Sequence, residues 1–189
     1  PIGPELLQTD PVDDAKVKVT QTEKADAEHV LTVSVLKHRS APSHLLIAIN
    51  EDLERPRSAT VTPGSGILGK GQGVYDLYEL NGDNLATRGF FEVPVLGGGD
   101  GRIFLVADED TYEAVRDRIL CGKAFEEVRA MMPDLAIARR WGLELNDVDV
   151  NIESCKESAK AKMPEQALTE AYIAKSILYE RIANHSELS

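Results

Sequence analysis

A glycine-rich segment carries the spacing of a nucleotide-binding motif. Residues 62–80 read TPGSGILGKGQGVYDLYEL, and Gly64 to Gly69 match G-x-G-x-x-G. In dinucleotide-binding proteins a helix follows these glycines, because its N-terminus holds the pyrophosphate. Here GVYDLYEL follows, and its Val, Tyr and Leu residues favour a strand. We therefore expect residues 63–73 to form a mobile loop that binds no nucleotide. The same expectation applies to LGGGDGR at residues 96–102, which also precedes a strand.

Acidic side chains in the second half of the chain have the spacing of a calcium-binding loop. Asp147, Asp149 and Asn151 occupy its first three ligand positions. The next position should be a glycine for the sharp turn, yet it is Ile152. Ser158 stands where the loop needs a bidentate Glu. The pattern therefore favours a solvated acidic turn over a calcium site.

Imidazole and thiol groups are too few to predict a metal site. The histidines are His29, His38, His44 and His185. His38 and His44 flank a predicted turn, but two ligands do not make a metal site. Cys121 and Cys155 are too far apart for a C-x-x-C clip, and we interpret them as free, partly buried thiols. If they paired instead, the disulfide would close a loop of roughly 35 residues.

No catalytic constellation stands out from the sequence. The motifs G-x-S-x-G and H-E-x-x-H are absent, and no two carboxylates can be assigned to one cleft. Tyr75 and Tyr78 point to opposite faces of a regular strand, as do Phe90 and Phe91, so core packing is the default role of these rings. Trp141 belongs to the helical half. We therefore expect no catalytic, cofactor-binding or metal-ligating residue and no bound cofactor.

The charge of the chain argues against nucleic acid as a partner. The net charge is −11, with 15 acidic against 10 basic residues in 1–107 and 17 against 11 in 108–189. AIARRWGLELNDV resembles a helix-turn-helix core through the spacing of Ala138, Gly142 and Val148. Its second helix, however, would present carboxylates to phosphates, which repel them. These carboxylates are Glu144, Asp147, Asp149 and Glu153.

Residues 15–107 alternate with the two-residue period of β-strands. The predicted strands are AKVKVTQ, EHVLTVSVLKHR, SHLLIAIN, RSATVTP, GVYDLYEL, RGFFEVPVL and GRIFLVAD. Gly, Pro, Asn or Asp occupies most of the gaps, which is typical of an antiparallel β-sandwich. Pro94 cannot donate to a ladder, so its strand should lie at an edge or contain a bulge. Residues 1–14 show no period and are interpreted as a leader or linker.

Residues 108–189 change to a helical period. The predicted helices are DEDTYEAVRDRIL, AFEEVRAMM, PDLAIARRWGLE and MPEQALTEAYIAKSILYERIAN. Pro133 should stop one helix and start the next. Residues 143–163 are polar and ambiguous. No run of about eighteen apolar residues occurs, so we expect no membrane span. The predicted fold class is therefore mainly β, an antiparallel Ig-like β-sandwich followed by a C-terminal helical region.

The strand GRIFLVAD is apolar on both faces and should be covered on both sides. If Ile103 and Leu105 face the sandwich core, Phe104 and Val106 point outward. A helix beginning near residue 108 is the nearest available cover. We therefore expect the helical extension to pack on the sandwich.

Three runs of sequence resemble the C-terminal β-sandwich domains of multidomain glycoside hydrolases. These runs are LTVSVLKHRSAPSHLLIAINED, VYDLYELNG and FFEVPVLGGGDGRIFLVAD. The shared themes are an asparagine that ends a strand, here Asn50, the V-Y-D-L strand at residues 74–77, and the last strand, G-R-I-F-L-V at residues 101–106. The resemblance covers roughly residues 28–107. Those domains usually end at their last strand, so residues 108–189 depart from the pattern.

The resemblance implies a non-catalytic accessory module of a carbohydrate-active protein. Its partner would be a catalytic domain of the same or another chain, and its location extracellular or periplasmic. One alternative is a free-standing carbohydrate-binding module. Another is an enzyme of unrecognised type with a site where the sandwich meets the helices.

Overall fold

The computed structural model describes residues 3–12, 17–21 and 30–188. Parts of the predicted leader, the first residues of two predicted strands, and His29 lie outside this range. The described helices are α1 Gly3–Leu6, α2 Glu109–Arg140, α3 Asn146–Lys160 and α4 Pro164–Leu188. The strands are β1 Thr9–Pro11, β2 Val17–Gln21, β3 Leu31–His38, β4 His44–Asn50, β5 Arg57–Pro63, β6 Gly73–Asp76, β7 Phe91–Leu96 and β8 Gly101–Ala107.

The chain divides between Ala114 and Val115 into two compact units, here called the β unit and the helical unit. Helix α2 runs through this division. Helices make up about 42% of the fold and strands about 29%, so the class is mixed α and β and not mainly β as predicted. The extra helix content comes from the polar segment 143–163, where α3 lies.

Two antiparallel sheets form the β unit. One has the strand order β1-β3-β4-β8-β6, and the other has the order β2-β5-β7. All seven predicted strands are present, which confirms the two-residue period as the governing signal. Strand β1 lies in the predicted leader, where Thr9 pairs with His38 of β3. Three residues are too few to display a period, which explains why β1 escaped prediction.

The two sheets share one apolar core. Leu46 and Phe104 from the first sheet belong to the same buried cluster as Val61 and Phe91 from the second. The rings of Phe91 and Phe104 lie 5.0 Å apart in a tilted arrangement. Such a pair stabilises the contact beyond the area that it buries. The β unit is therefore held by side chains that meet between the sheets.

The orientation predicted for the last strand is reversed in the structure. Phe104 and Val106 are fully buried in the core between the sheets, so Ile103 and Leu105 belong to the opposite face. Alternation defines two faces but does not say which one meets the partner sheet when both are apolar. Leu105 is also buried, so the expected cover on both sides is confirmed for this part of β8.

Pro94 occupies the position that its chemistry requires. Strand β7 is the edge of its sheet, and the register against β5 shifts between Arg57 and Ala59. The partners of these two residues are Leu96 and Val93, so β7 holds one extra residue at the shift. Both predicted accommodations of Pro94, an edge and a bulge, are confirmed.

Three helices form the helical unit. Lys175 Nζ of α4 lies 2.6 Å from Glu127 Oε2 of α2, and Tyr179 of α4 donates to Asp134 of α2 at 2.9 Å. The pairs advance in the same direction along both helices, so α2 and α4 run parallel. Helix α3 pairs with α2 through Asp149 and Arg139 and with α4 through Asp147 and Arg181. The apolar core of the unit includes Met131, Leu135, Ala138, Val148, Ile152, Ala174 and Leu178.

Helix α2 is continuous through Pro133, contrary to the predicted stop. Proline removes one backbone hydrogen bond and costs about 3 kcal/mol inside a helix. Met131 and Leu135 flank it and are almost fully buried. Burying two such side chains contributes about 1.5–3 kcal/mol each, which outweighs the break. Among the described residues, no helix is both long and apolar enough to cross a membrane.

Candidate functional site

The side chain of Asn50 joins the two sheets at one end of the β unit. It is fully buried at the end of β4. Its Nδ2 donates to the carbonyl oxygens of Arg55, Leu96 and Gly97 at 2.8, 3.1 and 3.0 Å. Its Oδ1 accepts from the backbone N–H of Asp52 at 3.0 Å. One amide group therefore satisfies backbone groups of the β4–β5 loop and of the end of β7.

Asp52 and Arg57 complete this set, which we call the Asn50 network. Their side chains are 5% and 4% exposed and lie 2.6 Å apart. Asp52 also accepts from the backbone N–H groups of Glu54 and Arg55 at 3.0 and 3.1 Å. Burial alone would raise the pKa of Asp52, but these hydrogen bonds and the Arg57 guanidinium lower it overall. The carboxylate therefore stays ionised and orders the β4–β5 loop.

A second buried carboxylate, Asp76, is also occupied by structural contacts. Its Oδ1 accepts from the backbone N–H of Tyr78 at 2.7 Å and of Glu79 at 3.3 Å. Its Oδ2 lies 2.8 Å from Arg102 Nε. Arg102 also pairs with Glu79 and lies over the Tyr78 ring. The turn after β6 is thereby fastened to β8.

The aromatic rings of the β unit do not form a shared exposed surface. Tyr75 is buried and stacks on Tyr112 with ring centroids 4.2 Å apart. Burial, aided by the carboxylates of Glu109 and Asp108, raises the pKa of Tyr75. Tyr78 is exposed but lies in the turn after β6. A stacking platform for a sugar needs more than one such ring on a common face.

The glycine-rich loop is two successive turns followed by a strand. Ile67 N donates to Gly64 O, and Gln72 N donates to Gly69 O, both at 3.2 Å. Strand β6 begins at Gly73, which confirms the predicted strand in place of a phosphate-binding helix. Ile67 is buried in the core between the sheets. This anchor argues against the mobile loop expected from the glycine content.

The second glycine-rich stretch, residues 96–102, contains the turn between β7 and β8. Asp100 N donates to Gly97 O at 3.1 Å, and β8 follows at once, as predicted. A Cβ atom added to Gly98 would lie 2.3 Å from the carbonyl oxygen of Leu53. Glycine is needed here because two backbone segments meet closely. The stretch is structural and carries no phosphate-binding helix.

A cavity of about 430 Å³ lies in the β unit beside the glycine-rich loop. We call it the glycine-loop cavity. Its lining residues are Lys37, Pro42, His44, Gly66, Gly69, Lys70, Gly71, Gln72 and Asp108. The volume falls within the range of about 300–1,000 Å³ that small-molecule sites occupy. Its charged lining residues are Lys37, Lys70 and Asp108, and no described Phe, Tyr or Trp lines it.

His38 and His44 have separate roles. His38 Nδ1 accepts from the backbone N–H groups of Ser40 and Ala41 at 3.2 and 3.1 Å, so it stabilises the turn after β3. His44 is buried at the start of β4 and lines the glycine-loop cavity. Within the described part of the chain, no group of three or more His, Cys, Asp or Glu side chains could hold a metal ion.

The acidic segment near the start of α3 is helical. Asp147 pairs with Arg181 at 2.9 Å, and Asp149 pairs with Arg139 at 2.6 Å. Asn151 Nδ2 donates to the carbonyl oxygen of Asp147 at 2.8 Å. These side chains therefore neither converge as calcium ligands nor form the solvated turn that the sequence favoured. They connect α3 to the C-terminal parts of the two neighbouring helices.

Both cysteines are free thiols in the helical unit. Burial raises the pKa of both thiols, assisted by the carboxylate of Asp117 at Cys121 and by that of Glu170 at Cys155. A raised pKa keeps the thiol protonated and weakly nucleophilic at neutral pH. Cys121 also lines a shallow apolar cavity of about 360 Å³ with Phe125.

Trp141, the tryptophan of the helical unit, stacks on His185.

The sequence motifs and the cavity coincide only in part. Gly66, Gly69 and Gly71 of the glycine-rich segment line the cavity, whereas Lys37 and Asp108 come from distant elements. No motif connects these two residues, because β3 and the start of α2 are brought together only by the sheet. Comparisons with protein-family models, curated proteins and solved structures find no match. The functional proposal therefore depends on the contacts and the cavity of the β unit.

Proposed function

We propose that the β unit is an Ig-like β-sandwich that acts as a non-catalytic accessory module of a carbohydrate-active protein. It would support a catalytic domain of the same chain or of a partner chain. The proposal starts from the resemblance to glycoside hydrolase accessory domains. It also places the protein in an extracellular or periplasmic setting.

The Asn50 network is the observation that carries this proposal. Asn50 is one theme of the resemblance, and it is a fully buried link between the two sheets. Asp76 and Arg102 belong to the other two themes, and they form the ion pair that fastens β6 to β8. The motif residues thus coincide with contacts that hold the module together. Such residues suit a supporting role, because their charges are engaged in stabilising loops.

Three exposed apolar side chains, which we call the exposed apolar surface, neighbour the network in sequence. Ile49, Leu53 and Val95 are 41%, 79% and 68% exposed. Each is one position away from a network member or from Leu96, whose carbonyl accepts from Asn50. Apolar side chains beside rigid loops suit a contact with another domain. We assign this surface to the catalytic domain as its docking face.

The test joins this chain to its proposed catalytic domain, whether one gene encodes both or a partner protein supplies the domain. This chain alone is expected to hydrolyse no glycoside or polysaccharide. Joined to it, the catalytic domain should melt at a higher temperature than it does by itself. Absence of any carbohydrate-active domain, both in the same gene and in every protein that binds this chain, would overturn the proposal. So would hydrolysis by this chain alone, or an unchanged melting temperature.

Point variants locate the docking face. The double variant Leu53→Lys and Val95→Lys should remove the stabilisation of the catalytic domain, because charged side chains resist burial in a contact. Leu7→Lys is the matched control, since Leu7 is 79% exposed like Leu53 but distant in sequence. Equal behaviour of the double variant and the control would show that the contact lies elsewhere.

The two alternatives, a carbohydrate-binding module and an enzyme, receive unequal support. Stacking recognition by a free-standing carbohydrate-binding module gains no support from Tyr78, the ring left exposed in the described part of the β unit. The glycine-loop cavity does bear on ligand binding. An enzymatic site where sandwich and helices meet stays a prediction.

A further inference from the structure

We propose that the glycine-loop cavity binds a small hydroxyl-bearing anion, of the type of a sugar acid or a sugar phosphate. This binding goes beyond the supporting role and needs no catalytic domain. The cavity lies within the β unit and has a volume of about 430 Å³. That volume suits a ligand of one or two sugar rings.

Two lysines give the cavity its preference for an anion. Lys37 in β3 and Lys70 in the glycine-rich loop both line it. Neither forms an ion pair with any residue that the structure describes. Elsewhere acidic residues dominate, since the chain carries 32 acidic and 21 basic side chains. The presence of two lysines without a carboxylate partner among the described residues at one small cavity therefore makes it an attractive position for a negative charge.

The wall that carries Lys70 is held in place by Gln72. Its Oε1 accepts from the backbone N–H of Gly69 at 2.7 Å, and its Nε2 donates to the carbonyl oxygen of Pro42. Ile67, three residues before Lys70, is buried in the core. The loop is therefore fastened to the β3–β4 turn and to the core. A fastened wall loses little conformational entropy when a ligand binds.

Asp108 selects for hydroxyl groups on the anion. Its Oδ1 accepts from Thr111 N at 2.8 Å, and this backbone hydrogen bond, followed by one from the Thr111 side chain, lowers the pKa of Asp108. The group is therefore a carboxylate at neutral pH, which repels a bare anion but accepts hydrogen bonds from hydroxyl groups. A cavity lined by two lysines and a carboxylate suits a ligand that bears both an anionic group and hydroxyls.

The binding experiment uses this chain alone and four probes. Galacturonate and glucose 6-phosphate carry an anion and hydroxyls, galactose carries hydroxyls only, and inorganic phosphate carries charge only. Amide shifts of Gly66, Gly69 and Gly71 in nitrogen-15 NMR spectra report on the cavity. We expect these shifts with at least one of the two sugar anions, and the one that binds more tightly identifies the anionic group. Equal binding of galactose or of inorganic phosphate, or no binding by either sugar anion, would overturn the proposal.

Lysine variants test the recognition directly. Lys37→Gln and Lys70→Gln should each weaken binding of the sugar anion by roughly tenfold, the usual effect of losing a hydrogen bond to a charged group. Lys18→Gln is the matched control, because Lys18 is an exposed lysine of the same unit that does not line the cavity. If Lys18→Gln weakens binding as much as the cavity variants do, attraction is by overall charge and the site is refuted. Because this experiment includes no catalytic domain, a failure to bind the sugar anion would leave the proposed supporting role untouched.

Discussion

The β unit and the helical unit bury different kinds of side chain. Among the described residues, the buried polar or charged side chains of the β unit are Thr9, Ser43, His44, Asn50, Asp52, Arg57 and Asp76, against Ser158 in the helical unit. The helical core instead contains small residues where helices approach closely, such as Ala167, Ala171 and Ala174. The charged pairs described in the helical unit are partly or largely exposed, with about a quarter of Glu127 and about half of Arg139 and Asp149 exposed.

The difference follows from where each kind of element finds its hydrogen bonds. A helix satisfies its interior backbone groups within itself, so only its ends need partners. Loops between strands have no such internal partners, and buried loop groups must be satisfied by side chains. Asn50 and Asp52 provide them for the β4–β5 loop. Buried polar groups are therefore structural in the β unit and largely unnecessary in the helical unit.

The largest expected effect comes from the core between the sheets. Phe104→Ala should lower the free energy of unfolding of the β unit by about 3–5 kcal/mol, because it removes a fully buried ring and leaves a cavity. Hydrogen exchange at the amides of β4 and β8 measures this change. Phe125→Ala in the helical unit is the control, since Phe125 is 47% exposed and should cost about 0.5 kcal/mol or less. Similar costs at both positions would contradict the assigned core face of β8.

Removing one buried polar group from each unit tests the comparison most directly. Asn50→Ala should destabilise the β unit by about 3 kcal/mol, because three carbonyl groups lose their donor. Ser158→Ala should cost the helical unit about 1 kcal/mol or less, since it removes one hydrogen bond to Glu170. Urea unfolding followed by far-UV circular dichroism gives both values. If Ser158→Ala proves the more damaging change, the contrast between the units is wrong.

Pro133 gives a smaller effect of opposite sign. Pro133→Ala restores a backbone donor inside α2 and should raise the free energy of unfolding of the helical unit by about 1–2 kcal/mol, a part of the roughly 3 kcal/mol that a proline costs inside a helix. Trp141 is the single tryptophan and lies in this unit, so its fluorescence reports the transition. An unchanged or lower urea midpoint would mean that the helix gains nothing from the added hydrogen bond.

The smallest effect is a pH dependence that should come from the β unit. The pKa of Asp52 is lowered from 3.8 in the folded chain. Its contribution is therefore complete above the unfolded pKa and is lost as the pH falls through the folded pKa. Asp52→Asn should flatten the loss of stability between pH 4 and pH 2, measured by urea midpoints relative to pH 7. Glu153→Gln, at an exposed carboxylate paired with Lys156, should leave the slope nearly unchanged. An unaltered slope in Asp52→Asn would assign the dependence to other carboxylates.

Local signals predicted most strands but misjudged the helices. Alternation located β3 and β8, and the missing N–H of Pro94 predicted an edge or a bulge, both of which occur. The same missing N–H at Pro133 predicted a helix stop that does not occur. The segment that forms α3 is ambiguous in sequence, because its many polar residues obscure the apolar positions Val148, Ile152 and Cys155, which are buried in the structure. A short segment of sequence cannot show how deeply its apolar side chains will be buried.

The glycine-loop cavity shows the same limit for function. The sequence shows where its glycines lie, and the strand predicted after them indicates that no phosphate-binding helix follows. The sequence could not predict that Lys37 and Asp108 lie near those glycines, because these residues are distant in sequence and come together only through strand pairing. Nor could it distinguish Asp52, a buried structural carboxylate, from the exposed acidic residues around it.

The sequence by itself determined the change from a two-residue to a helical period, the acidic balance and the positions of most strands. These properties depend on neighbouring residues, whose spacing sets which side chains share a face. Only the tertiary structure decided which face of β8 meets the other sheet, whether α2 continues through Pro133, and which charges are buried. Those outcomes depend on contacts between distant segments, where the free energy of burial exceeds the local preferences of the chain.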